Sequence, residues 1–204
     1  STALPTIVTD LGGIEHLSWV VTAYILASTV VAPLYGKLGD LYGRRLMVFI
    51  SVGLFLTGSL LCGVSSTMTQ LILARAVQGL GGGGLFVLAL SVVGDVLSAT
   101  ERGKIQGMFA AVFSISSMLG PLIGGWFVEY VSWHWIFLIN VPLGVLAVVA
   151  FAMSFPHQTL TQRHSIDWGG AATLSVALAA LTLVTSLGGH SFGWTSPQAL
   201  GLAA

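Results

Sequence analysis

Long apolar runs broken by short polar connections organise this chain. The segments from about Leu17 to Leu38, Leu46 to Val64, Gln70 to Val93, Ile105 to Val128, Trp135 to Phe155 and Trp168 to Leu187 each fall in the range of roughly 17 to 25 residues that a helix needs to cross a bilayer core. Residues 1 to about 8 read as the outer end of a first helix whose beginning lies upstream. Another apolar run opens near Ala199. The expected connections are Asp10 to Glu15, Gly36 to Arg45, Ser65 to Thr69, Asp95 to Lys104, Glu129 to Ser132, Pro156 to Asp167 and Gly188 to Pro197. Connections this short make neighbouring helices antiparallel. Pro33 is expected to bend the second span, because it cannot donate to the carbonyl four residues earlier.

Composition moves these helices into lipid. Hydrophobic residues make up 55% of the chain and charged residues 7%, and mean hydropathy is +0.93. A soluble domain carries about 25% charged residues, so this chain could not clothe a water-facing surface. The predicted fold is an all-α, polytopic transmembrane helix bundle.

Charge then orients the bundle. Lys37, Arg44, Arg45, Arg102, Lys104 and Arg163 all fall in alternate connections, which the positive-inside rule makes cytoplasmic. Trp19, Trp133, Trp135, Trp168 and Trp194 sit at span ends, as an interfacial aromatic belt would place them. A formal net charge of zero offers no field for nucleic acid. Cys62 is the only cysteine, inside an apolar run, and the five histidines are unevenly spaced in loops. Neither a disulfide nor a metal site is expected, and no cofactor.

Four of the fourteen charged residues lie in the ten positions from Gly36 to Arg45, Gly-Lys-Leu-Gly-Asp-Leu-Tyr-Gly-Arg-Arg. Glycines at 36, 39 and 43 let two helices end and begin close together. Asp40 and Arg44 stand four apart and can pair if the stretch is helical. With antiparallel spans, Asp95 reaches the same membrane face. The plainer reading is a set of interfacial charges that only orient the chain, with surface pairs contributing about 0 to 1 kcal/mol. Arg75 lies inside the fourth span, about one turn from its outer end, where a permanent cation needs a partner or water. Snorkelling to the interface is the alternative. Gln78 is a neutral hydrogen-bonding partner on an adjacent face, and Tyr24 and Asn140 are further polar groups at membrane depth, for substrate or for interhelical bonds. In the fifth span Gly120, Pro121, Gly124 and Gly125 form a small-residue face suited to close helix contact.

The pattern G-x-L-x-D-x-x-G-R-R from Gly36 to Arg45 resembles the signature loop between the second and third helices of the major facilitator superfamily. Leu73-Ala-Arg75-Ala-Val-Gln78-Gly79-Leu-Gly81-Gly82 is similar to its fourth-helix motif, and Gly120-Pro121-Leu-Ile-Gly124-Gly125 to its antiporter motif. Ser1-Thr-Ala-Leu4-Pro5-Thr-Ile7-Val resembles the end of the first-helix motif of drug:proton antiporters, in which an aspartate stands upstream. Trp135 to Gly144 resembles the sixth helix of the drug-efflux branches. The extra span at 168 to 187 fits the fourteen-helix branch.

That resemblance implies an amino-terminal half of a carrier, with a six-helix bundle over 1–155 followed by a cytoplasmic loop, an extra helix and the start of the next over 156–204. It implies proton-coupled export of lipophilic or cationic drugs from the cell membrane. Arg75 and Gln78 would serve proton coupling. Gly36, Gly39, Asp40, Gly43, Arg44, Arg45 and Asp95 would serve conformational gating. The implied partners are protons, membrane lipid, the small substrate and the carboxy-terminal half. A facilitator or symporter for a polar nutrient stays open, as does a membrane scaffold or sensor of carrier descent. An enzyme is not expected, since there is no nucleophile elbow, phosphate loop or metal-ligand spacing.

Overall fold

The computed structural model describes residues 3–154 and 168–187, and among these all regular structure is helical. The helices are α1 (Leu4–Leu11), α2 (Leu17–Tyr42), α3 (Arg44–Gly63), α4 (Met68–Val96), α5 (Ala99–Tyr130), α6 (Trp135–Leu138), α7 (Asn140–Ser154) and α8 (Trp168–Leu187). With α6 and α7 taken as one span, six segments among the described residues are long and apolar enough to cross a membrane. Arg163, Trp194 and the expected connections at 156–167 and 188–197 lie outside the described residues.

The breaks between helices are shorter than the polar stretches suggest. The stretch Gly36 to Arg45 is not a loop: α2 runs on through Pro33 to Tyr42, α3 begins at Arg44, and Gly43 alone turns the chain with φ +91°. A positive φ is cheap only for glycine, so one residue does the work of a connection. Asp95 to Lys104 is likewise helical except for Leu97 and Ser98. Ser98-Ala-Thr-Glu101 has the spacing of a capping box, and Glu101 Oε2 accepts from Ser98 N at 3.1 Å. The sixth span is interrupted at Ile139, where Pro142 has no N–H for the Leu138 carbonyl. At α4 the cap is Thr67, whose hydroxyl oxygen accepts from Gln70 N at 3.2 Å.

Helix α4 is the hub, packed on α2 along one side and α3 along the other. Its glycines make this possible. A methyl group at Gly81 would overlap the Phe55 backbone on α3, and one at Gly83 the Ser28 backbone on α2. Two apolar cores result, one at each end. At the end opposite the basic residues, Ile7, Val20, Cys62, Leu71, Trp133 and Phe137 close together. At the basic end Tyr35, Met47 and Leu88 do so. Helix α8 lies along α2, and α6 and α7 lie against α3. Helix α5 buries no residue.

Candidate functional site

Arg44 organises the basic end. Its Nη1 stands 2.8 Å from Asp95 Oδ2 and its Nη2 3.1 Å from Asp40 Oδ1, and Nη1 also donates to the Ser91 carbonyl. One guanidinium thereby joins the end of α2, the start of α3 and the end of α4. The side chain of Arg44 is 19% exposed, that of Asp95 35% and that of Asp40 57%, so the α4 contact is the better shielded of the two. Gly39 is buried beside it, with Leu88 filling the space that a side chain at 39 would need. Gly36 is partly buried, facing Val87. Arg45 points elsewhere: its Nη2 donates to the Ala152 carbonyl at 3.1 Å and its guanidinium lies 5.7 Å from the Phe49 ring centroid, tying α3 to the end of α7.

A second centre lies within the membrane-spanning part. Arg75 stands two turns into α4, deeper than one turn, because α4 begins at Met68. It is half-buried and does not reach outward. Its Nε donates to the Val20 carbonyl at 3.1 Å, its Nη1 donates to Gln78 Oε1 at 2.6 Å, and its guanidinium lies 4.2 Å from the Tyr24 ring centroid. Tyr24 thus serves through its ring, at a distance where a cation–π contact is strong. Gln78 in turn donates from Nε2 to Ser59 Oγ at 2.6 Å, and Asn140 donates from Nδ2 to the same oxygen at 3.3 Å. A polar chain therefore runs from α2 through α4 and α3 to α7, and it is satisfied throughout. Among the described residues no carboxylate stands within ion-pair range of Arg75.

The antiporter-like residues are not joined to either centre. Gly120 and Pro121 are exposed, Gly124 and Gly125 half-buried, and a methyl group at Gly120 or Gly125 would meet nothing within 4 Å. The close helix contact expected of this face has no partner among the described residues, since α5 only grazes α4 and α6.

Two groups escaped sequence reasoning. Ser59 is an ordinary-looking hydroxyl in an apolar run, and only its place opposite Gln78 gives it a role. Trp133 was expected in an interfacial belt, but it is 2% exposed. Its Nε1 donates to Asp10 Oδ2 at 2.8 Å, with His134 stacked on the ring at 3.7 Å. A tryptophan with an N–H and a nearby carboxylate can be buried whole, because its one polar atom is satisfied. Asp10 correspondingly belongs to the last turn of α1 rather than to a connection.

The comparisons with known proteins agree in kind. The family model described as Major Facilitator Superfamily matches residues 1–203. Over 202 residues, 99% of the chain, 43% are identical to "Multidrug resistance protein 3" of Bacillus subtilis, of which 40% is covered. The "Multidrug transporter protein MdtP" of the same organism is 42% identical over 203 residues, covering 100% of this chain and 38% of that protein. The "MFS-type efflux pump LUC4" of Fusarium sp is 40% identical over 206 residues, covering 98% and 36%. The chain spans about 40% or less of the length of these relatives.

Proposed function

The chain belongs to the Major Facilitator Superfamily, and from this premise we propose that it is the amino-terminal portion of a proton-driven exporter of lipophilic or cationic compounds. In this reading it is a carrier rather than an enzyme. It works in the cell membrane, with its basic end cytoplasmic, six helices over 1–155 forming one half of the transport unit, and a linker helix following. The relatives' names, multidrug transporters and efflux pumps, support the substrate class.

The observation that carries the proposal is Arg75. A guanidinium keeps its proton, so it cannot be the proton carrier itself. Fixed by Val20, Gln78 and Tyr24 inside the bundle, it supplies a stationary positive field that favours the ionised form of a nearby carboxylate or bound water. Substrate and proton then compete for one acidic group elsewhere in the cavity. The Arg44–Asp95 and Arg44–Asp40 pairs hold the cytoplasmic ends of α2, α3 and α4 together, which latches that face while the cavity opens outward. Breaking them lets the two halves rock about a midplane site.

The test uses cells expressing the complete transporter. Collapse of the proton gradient should stop export, and Arg75→Ala should lower gradient-driven export by about tenfold or more while the protein still reaches the membrane. Export that survives the collapse would identify a facilitator. Unchanged drug accumulation in both Arg75→Ala and Asp40→Asn would favour a scaffold or sensor.

A further inference from the structure

We propose that Ser59 is a positioning residue for Arg75, acting through the amide of Gln78. The inference rests on the reading of Arg75 as the coupling cation. A guanidinium offers only donors, so Gln78 must present Oε1 to it, and the observed 2.6 Å contact does so. That choice turns Nε2 of Gln78 the other way, into the apolar packing between α3 and α4, where it needs an acceptor. Ser59 Oγ is that acceptor at 2.6 Å, and it also receives Nδ2 of Asn140 at 3.3 Å.

A hydroxyl oxygen has two lone pairs and can take both amides at once. Ser59 is fully buried, so water does not replace it. Its neighbour Gly58 has no side chain to hold α4 away, and a methyl group there would overlap the Gln78 backbone. Close approach of the helices and the shared acceptor therefore act on the same residue. Without the hydroxyl, Nε2 of Gln78 is left buried without its acceptor, and the amide that holds the Arg75 guanidinium is no longer fixed in place. Because Asn140 stands on α7, movement of that helix against α3 is also transmitted to the amide pair.

The experiment is gradient-driven export by the complete transporter in proteoliposomes over a pH series. Ser59→Ala and Gln78→Ala should each lower kcat by about tenfold, leave KM within about twofold and shift the pH profile the same way, with the double variant no worse than either single one. Ser59→Thr, which keeps the hydroxyl, should retain the wild-type profile. Losses that multiply in the double variant, or a wild-type profile for Ser59→Ala, would overturn the proposal. If Ser59→Ala does not accumulate in the membrane, Ser59→Cys against Ser59→Thr makes the same contrast, since sulfur is a weak acceptor; equal activity of these two would overturn it. Wild-type export indifferent to the gradient would remove the proton-driven reading instead, and the Ser59–Gln78 non-additivity in kcat would still decide the positioning role.

Discussion

At the scale of single residues, exposure separates two ion pairs that look alike on paper. Arg44 holds Asp95 at 2.8 Å and Asp40 at 3.1 Å, but the Asp40 side chain is more than half exposed and sits only four positions away. Water and salt screen such a pair, and its entropy cost cancels much of the attraction. Asp95 is better shielded and comes from another helix, so its pair adds tertiary connection. A double-mutant cycle on the complete protein, read from thermal unfolding in detergent, should give about 1 kcal/mol of coupling for Arg44 with Asp95 and under about 0.5 kcal/mol for Arg44 with Asp40. Equal couplings, or the reverse order, would show that the proposed latch does not depend on the α3–α4 contact. Trp133 makes the same point at the opposite end. Its position at a span end suggests the interface, yet one carboxylate from α1 is enough to bring the indole fully inside.

Among the elements, α4 decides how closely its neighbours approach. Glycine in a helix interior costs about 1 kcal/mol relative to alanine, so its clustering from Gly79 to Gly84 needs a packing reason, and the Phe55 and Ser28 backbones supply it. Gly81→Ala or Gly83→Ala should destabilise the protein by about 1–3 kcal/mol through overpacking. Gly53→Ala on α3, where a methyl meets nothing within 4 Å, should instead stabilise it by about 0.5–1 kcal/mol. Thermal midpoints in one detergent would compare the three; a neutral Gly81→Ala and Gly83→Ala would mean that α4 can shift away without loss. Hydrophobic run lengths made the spans themselves legible, and α8 is helical throughout the expected run from Trp168 to Leu187. Polar composition misled at the connections, because charged residues such as Asp40, Asp95 and Arg102 belong to helix ends that continue past the apolar run. That Asp95 reaches the membrane face of Arg44 followed from antiparallel order; that the two pair is seen in the structure. The Gln78–Ser59–Asn140 junction did not, since it depends on which faces of α3, α4 and α7 meet, and runs apolar on every side do not encode that.

For the whole molecule, the informative surface is the one left open. Helix α5 buries none of its residues, its Phe113 is 75% exposed, and among the described residues a methyl group at Gly120 or Gly125 on its glycine-proline face would meet nothing within 4 Å. Lipid would cover the large apolar side chains as well as protein would. It would not explain a face of Gly120, Gly124, Ser117, Pro121 and Gly125, because small residues gain only where another backbone comes close. In the reading proposed above, the complete transporter has a second half, and a small-residue face of this kind suits close contact with another helix. A midplane substrate site shared between two halves then cannot exist in one of them. Proteoliposomes holding residues 1–204 alone should therefore show no substrate-dependent proton flux, with the complete transporter in parallel vesicles as the positive control. Flux from the half by itself would mean that both substrate and proton sites lie within these helices, and the open face of α5 would then have to be explained by lipid after all.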